Sequence, residues 1–175
     1  MKRTMAKTCI LLLMISVLCL SAWGCKSRLY DTSSMEAEAM LETLLAAIES
    51  GQAQAVKELF SKQAQQTAPD LNHNLSALFE FYDGEMTSYQ RYGPGTSASR
   101  DGSAYQEEIF CSFDVTTTTG DFRIALLFVT ADSESPDRVG LRSVYIIRAE
   151  DSDPDRAYWG IDNENDIWKP GINIE

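Results

Sequence analysis

The sequence is poor in the residues that bind transition metals and in those that bind nucleic acid. One histidine and four cysteines among 175 residues leave few ligands for a zinc or copper site. Lysine and arginine total 15 against 26 acidic residues, so the formal net charge is −11. Nucleic-acid-binding domains need a basic surface, and this balance predicts that nucleic acid is not a partner. The chain has 44% hydrophobic and 23% charged residues. This composition also excludes collagen-like, coiled-coil and fully disordered chains.

The apolar run near the start of the chain is too short for a stable membrane anchor. It extends over Cys9–Leu20 and follows three basic residues, Lys2, Arg3 and Lys7. A basic start followed by a short apolar stretch and small residues is typical of a secretory signal. Residues 1–24 are therefore predicted to be a signal peptide and are excluded from reasoning about the fold.

The residues that follow this run resemble the cleavage motif of bacterial lipoproteins. The motif here is Ser21-Ala22-Trp23-Gly24-Cys25, with a small residue directly before the cysteine. The resemblance implies that Cys25 becomes the mature N-terminus and carries a thioether-linked diacylglycerol. Two acyl chains hold a protein stably on a membrane, whereas one does so only marginally. The membrane is thus an expected partner, and plain secretion after cleavage before Cys25 is the alternative.

Removal of the predicted signal peptide changes the number of cysteines and the net charge of the chain. Cys111 becomes the sole free thiol, so the mature chain has no intramolecular disulfide. Three basic residues leave, which gives the mature chain a net charge of −14. Because cell surfaces are usually anionic, such a domain is repelled from lipid headgroups and needs the lipid for attachment. We expect a tether over residues 25–32 and a single domain over 33–175 on the extracytoplasmic face of the cell membrane.

The first part of the mature chain shows the periodicity of three helices. Ser33 with Glu36 predicts a capping box at the start of the first helix, and Gly51 predicts its end. Asp70 is the predicted N-cap of the third helix, which Gly84 ends. The three apolar stripes are Met40, Leu41, Leu44, Leu45 and Ile48, then Val56, Leu59 and Phe60, then Leu71, Leu75, Leu78 and Tyr82.

After Gly84 the pattern changes from helices to strands. The predicted strands are Glu85–Tyr92, Tyr105–Thr118, Phe122–Thr130 and Arg138–Ala149, with a short last one around Tyr158–Ile161. Gly93-Pro94-Gly95 is predicted to begin a loop. Helices that precede strands indicate an α+β fold, and the short connections predict an antiparallel meander with the helices covering one face.

This order of elements resembles the nuclear transport factor 2-like (cystatin-like) cone. The segment Leu44–Ser61, which ends in Glu58-Leu59-Phe60-Ser61, is similar to the opening of many such domains. The resemblance implies N-terminal helices packed on a curved antiparallel sheet. The lipoprotein signal, the size and the strand Gly140–Tyr145 also resemble a family of exported Firmicutes lipoproteins, domain of unknown function 5104. That family implies neither an activity nor catalytic residues.

The most acidic stretch lies between Glu150 and Asp166. Asp151, Asp153 and Asp155 have the alternating spacing that opens an EF-hand calcium loop. Arg156, however, occupies the position where such a loop needs glycine for its sharp turn. A solvated loop is therefore the favoured interpretation and calcium the weaker alternative, and no cofactor is expected.

Aromatic residues are the remaining candidates for a functional site. The candidate pocket lining consists of Tyr82, Tyr89, Tyr105, Tyr145 and Trp159. Enzymes with the resembled fold place an acid–base aspartate or tyrosine in such a pocket. Asp114 or Asp121 could serve as that base only if it is buried, since a useful base needs a shifted pKa.

The sequence favours an uncharacterised membrane-anchored lipoprotein that acts as a non-catalytic module. Its partner would be a small ligand or another envelope protein. The alternative is a pocket enzyme that uses an Asp/Tyr acid–base pair. A structural accessory of a larger envelope complex is a third hypothesis, which an exposed apolar patch would favour.

Overall fold

The computed structural model describes residues 32–151, 161–162, 167–168 and 170–174, without the side chains of residues 92–94, 96, 161–162 and 167–168. The chain divides into two compact units, residues 1–36 and 37–175. Of the first unit, residues 32–36 are described, and they are helical. The predicted signal and tether fall almost entirely outside the described residues, so their boundaries stay predictions.

Helices make up the first part of the described chain. They are α1 over residues 32–49, α2 Ala53–Leu59, α3 Lys62–Thr67 and α4 Leu71–Phe81. Gly51 has a φ of 66° and donates its N–H to Ile48, while the next N–H, of Gln52, reaches the carbonyl of Ala47. This pair of bonds is a Schellman motif, which needs a left-handed residue after the helix. The predicted end of the first helix at Gly51 is thus confirmed.

Three details of the predicted helices differ from the structure. Residue 32 is already helical, so Ser33 lies within α1 and is not its N-cap. The short helix α3 was not predicted, and Ser61 caps it by accepting the N–H of Ala64 at 3.0 Å. Asp70 does precede α4, but its backbone is left-handed with φ 52° and its side chain makes no capping bond.

Strands follow the helices, as predicted. They are β1 Met86–Asp101, β2 Ala104–Thr117, β3 Asp121–Asp132, β4 Gly140–Arg148, β5 Ile161–Asp162, β6 Ile167–Trp168 and β7 Gly171–Ile174. The loop predicted at Gly93-Pro94-Gly95 is wrong, because β1 continues to Asp101 through a register shift between Tyr92 and Gly95. A bulge accommodates proline and glycine without ending a strand.

The main sheet has five strands in the order β1-β2-β3-β4-β7, and β5 pairs with β6 separately. Strands β1 to β4 form the predicted antiparallel meander. Strand β7 pairs with β4 in parallel, an addition that makes the sheet mixed. The helix α4 helps to hold β7, since the Asn74 amide donates to the Ile172 carbonyl at 3.0 Å.

The apolar core lies between the helices and one face of the sheet. Alternate residues of β2 point into it, and Phe113 and Phe122 are among its largest fully buried side chains. A smaller buried cluster of Ala125, Tyr145 and Ile147 lies on the opposite face, because neighbouring residues of a strand point to opposite sides. The predicted α+β domain, with helices packed on a curved sheet, is confirmed.

Candidate functional site

A groove on the helical side of the domain separates α2 from α4. Its volume is about 450 Å³. In α4 the stripe that includes Leu75 faces the core, so the adjacent positions Asn72 and Ser76 face solvent. The floor of the groove is apolar, with Leu75 buried and Phe79 half-buried, whereas Gln54, Asn72 and Ser76 at its rim are exposed.

An amide–ammonium pair crosses this groove. The Lys57 Nζ donates to the Asn72 Oδ1 at 2.9 Å, and so joins α2 to the first turn of α4. Both residues also line a second cavity of about 290 Å³, which Gln65 and His73 border. The two cavities therefore meet at this pair and form one continuous surface, which we call the α2–α4 groove.

The segment that forms most of the groove, residues 52–76, is rich in amides. Residues 52–76 contain five of the seven glutamines. Their charges cancel, because Lys57 and Lys62 offset Glu58 and Asp70. Lys57, Asp70 and Glu80 are the charged residues that line the α2–α4 groove, so its net charge is −1 in a chain whose formal charge is −11.

A second polar cluster joins α1 to the start of β1. One carboxylate oxygen of Glu49, Oε1, accepts both the Met86 N–H at 2.7 Å and the Tyr82 hydroxyl at 3.2 Å. Burial raises the pKa of Tyr82 well above its usual range, and the adjacent Glu49 carboxylate adds to the shift. The hydroxyl therefore stays protonated and acts as a hydrogen-bond donor.

The same helix contributes two further carboxylates about two and three turns nearer its N-terminus. Glu42 accepts the Tyr89 hydroxyl at 3.0 Å, and Glu38 pairs with Arg91 at 3.8 Å. Burial, followed by the hydrogen bond to Glu42, raises the pKa of Tyr89. Glu38, Glu42 and Glu49 form what we call the α1 carboxylate row, which binds α1 to β1 and to the end of α4.

The predicted pocket tyrosines do not come together. Tyr82 and Tyr89 lie in the helix-facing core, with ring centroids 5.0 Å from Phe122 and 5.8 Å from Phe113. Tyr145 is buried in the cluster on the opposite face. Trp159 lies outside the described residues, so its part in a pocket stays a prediction.

Tyr105, the remaining candidate, lies at the far end of the β1–β2 hairpin. Its hydroxyl donates to Glu107 at 2.7 Å, and the Arg100 guanidinium lies 5.7 Å from its ring centre. It borders a cavity of about 230 Å³ together with Asp132 and Arg138, which pair at 3.1 Å. Asp132 and Arg138, two of the polar groups that line this cavity, are thus engaged with each other.

Neither acid of the enzyme alternative meets the condition of burial in the interior. Asp114 lies next to the core residue Phe113 and therefore points to the opposite face, where Arg123 binds it at 2.7 Å. Asp121 is exposed at the start of β3.

The calcium hypothesis rests mainly on residues beyond those described. Asp151 is exposed, while Asp153 and Asp155 lie outside the described part of the chain. Among the residues that are described, no group of three or more His, Cys, Asp or Glu side chains could hold a metal ion. A solvated loop stays the prediction for the acidic stretch, and calcium binding stays its weaker alternative.

The predicted mature chain has two cysteines, Cys25 and Cys111. Cys25, the expected lipid attachment, lies outside the described residues. Cys111 is buried in the core, and burial raises the pKa of its thiol to about 12. Within the described ranges, no helix is long and apolar enough to cross a membrane.

Comparison with known protein families gives one match. A family model described as Domain of unknown function (DUF5104) matches residues 43–149. The chain belongs to this family. The DUF5104 match extends from within α1 to the end of β4, so it includes the α2–α4 groove and the antiparallel meander. A search of curated proteins found no match.

Reasoning from the sequence missed the groove of this DUF5104 domain. The available signal was the concentration of glutamines over residues 52–66, which hold five of the seven. Amides on a helix surface are ordinary one at a time, and of these five only Gln54 and Gln65 line the two cavities.

Proposed function

We propose that this DUF5104 protein is a non-catalytic binding module of the cell envelope, whose binding site is the α2–α4 groove. The observation that carries the proposal is the groove itself, a continuous surface of two cavities of about 450 and 290 Å³. Ligand sites are typically concave, with an apolar floor and a few convergent polar groups. Leu75 and Phe79 supply that floor, while Gln54, Asn72 and Ser76 supply exposed polar groups above it.

The bonds of these polar groups can be exchanged for bonds to a ligand. Gln54 donates to Glu58 and Lys57 donates to Asn72, both among exposed side chains. Exposed pairs of this kind contribute little to folding stability. A ligand can therefore replace them at small cost to the fold.

The fold supports a binding site on the helical surface. We infer that the domain is a nuclear transport factor 2-like cone, because its helices pack on a curved, mainly antiparallel sheet. The space between helices and sheet is occupied by one apolar cluster that includes Leu78, Phe113 and Phe122. The groove lies on the solvent side of this cluster.

The proposed location is the extracytoplasmic face of the cell membrane, with lipid on Cys25 as the anchor. The signal-like residues 1–24 and the small residue before Cys25 support it. So does the acidic mature chain, which has no electrostatic attraction to an anionic surface.

The anchor is tested by expressing the full chain and its Cys25→Ser variant in a host that processes lipoproteins. We expect the wild-type protein in the membrane fraction, with the lipid mass on Cys25, and the variant in the medium or uncleaved. Cys111→Ser is the matched control, because that thiol lies in the folded core. Retention of a mature, unlipidated wild-type protein in the membrane would contradict the proposal.

The site is tested by blocking it. Ser76→Trp places a large ring in the groove, whereas Thr67→Trp places the same ring on the exposed surface of α3. Soluble fragments of the cell envelope should slow amide hydrogen exchange in α2 and α4 of the wild type and of Thr67→Trp. The Ser76→Trp protein should show no slowing, and a response equal to that of the wild type would rule out the groove as the site.

A further inference from the structure

We propose that the α2–α4 groove binds a neutral saccharide chain, an inference that rests on the proposed binding function and names its ligand. Charge is the first argument. The charged residues that line the groove are Lys57, Asp70 and Glu80, a net charge of only −1, although the chain as a whole is strongly acidic. An anionic polymer would be repelled by the rest of the domain, and a cationic ligand would be attracted to other, acidic surfaces.

The hydrogen-bonding groups at the rim suit hydroxyl groups. Gln54 uses its amide N–H₂ on Glu58, which leaves its carbonyl oxygen as an acceptor. Asn72 uses its carbonyl oxygen on Lys57, which leaves its N–H₂ as a donor. The hydroxyl group of a sugar donates and accepts at once, so a row of hydroxyls can satisfy both residues.

The apolar floor suits the other side of a sugar ring. Phe79 is half-buried and lines the cavity, beside the buried Leu75. The face of an aromatic ring is electron-rich and attracts the weakly positive C–H groups of a pyranose. A sugar that lies on Phe79 would thus turn its hydroxyls toward the amides of the rim.

The length of the groove favours a chain over a single sugar. The cavity of about 450 Å³ is within the range of small-ligand sites, and the adjoining cavity of about 290 Å³ continues beyond Lys57 and Asn72. Gln65 and His73 border this second cavity and extend the row of neutral polar groups. Two adjoining subsites fit consecutive sugar rings.

A peptide fits this surface less well. A bound helix needs a row of apolar pockets, and an extended peptide needs an unpaired strand edge beside its site. The α2–α4 groove is flanked by helices and has a polar rim. Peptide binding is therefore a competing outcome of the test.

The test is a titration of the full chain with a neutral tetrasaccharide of N-acetylglucosamine, followed by NMR and calorimetry. We expect resonance changes confined to α2, α3 and α4. The double variant Gln54→Ala, Asn72→Ala should bind about tenfold more weakly, because two hydrogen bonds are lost. Gln66→Ala is the matched control, since this exposed amide lies on α3 outside both cavities, and it should bind as the wild type does.

Substitutions of Phe79 test the aromatic floor independently, and they keep a large side chain at this position. Phe79→Tyr should retain saccharide binding, and Phe79→Leu should weaken it, because leucine lacks the ring face. Thermal unfolding of both variants shows whether the fold is intact.

The failures of the two proposals are distinguishable. Binding of an envelope peptide to α2 and α4, with no response to the tetrasaccharide at millimolar concentration, would overturn the saccharide assignment and leave the binding module standing. A tetrasaccharide affinity unchanged in the double variant would also overturn it. Absence of any response in α2 and α4, to saccharide, peptide or envelope fragments, would overturn both.

Discussion

The helices are joined to the sheet in two different ways. At one end of the helical layer, the α1 carboxylate row binds β1 through charged groups, with Glu49 accepting both Tyr82 and a backbone N–H. At the other end, α3 and α4 meet β4 and β7 through neutral groups. The Ser61 N–H donates to the Leu141 carbonyl at 2.8 Å, and the Asn74 amide reaches β7.

The neutral junction depends on close approach of backbones. A Cβ on Gly140 would lie 2.9 Å from the carbonyl oxygen of Leu59 and from the nitrogen of Ser61. A Cβ added to Gly171 would likewise lie 2.9 Å from the Cβ of Ala68. The charged junction should therefore respond to pH, and the neutral junction should respond to side-chain volume.

The largest expected effect is at the neutral junction. Gly140→Ala adds a Cβ against backbone atoms at a φ of 119°, which nonglycine residues rarely adopt. We expect a loss of about 3 kcal/mol or more in the free energy of unfolding, measured by urea titration. Gly102→Ala is the matched control. It also has positive φ, at 59°, but open space around the Cβ, so it should cost only about 1 kcal/mol.

Alkaline pH should weaken the charged junction more than the neutral junction. The pKa values of Tyr82 and Tyr89 are raised in the folded protein, so the fold favours their neutral form. Their contribution to stability is complete below the unfolded value near pH ~10 and is lost as the pH rises above it. Burial raises the pKa of Cys111 to about 12. Its contribution to stability is therefore also lost at alkaline pH, and the loss starts near the pKa of a thiol in the unfolded chain.

The measurement is the urea midpoint between pH ~8 and ~11, with hydrogen exchange to locate the opening. Exchange should accelerate in α1 and β1 before it does in α3 and α4. Tyr82→Phe keeps the ring against Phe122 and should reduce the pH dependence. Equal acceleration in all four helices would contradict the contrast between the junctions.

Removal of a single carboxylate should have a moderate effect. Glu49→Ala takes away the acceptor of two donors, so we expect a loss of about 1–2 kcal/mol in unfolding free energy. Glu42→Ala removes one exposed hydrogen bond and should cost about 0.5 kcal/mol. Urea titration at neutral pH compares the two, and equal losses would show that Glu49 has no special place in the α1 carboxylate row.

The smallest effect is expected in the α2–α4 groove. Asn72→Ala removes the bond to Lys57, but both partners lie on the surface. The free energy of unfolding should change by less than about 0.5 kcal/mol. A larger loss in thermal unfolding would make this pair part of the framework and would weaken its assignment to ligand binding.

Local patterns predicted much of this fold. The helical stripe of Leu71, Leu75 and Leu78 required only neighbouring residues, and it is buried as expected. The parallel strand β7 was not foreseen, because its four residues carry no periodicity of their own and its place is set by distant partners. The continuation of β1 past Pro94 likewise depends on a partner strand.

The candidate site was harder to predict than the fold. Aromatic residues were chosen as a pocket, yet the same apolar character places Tyr82 and Tyr145 in two packed clusters on opposite faces. The groove is formed by Gln54 and Asn72, which are unremarkable on their own helices. These two side chains line one cavity because of the way α2 packs against α4, and the local sequence pattern of either helix does not predict that packing.

The bond between Asn74 and Ile172 joins residues 98 positions apart in the chain. In a chain that emerges N-terminus first, α4 lacks this partner until Ile172 has emerged. Contacts of such long range slow folding, because a large loop must close before they form. The helical layer should therefore complete its packing late, only after β7 is available to α4.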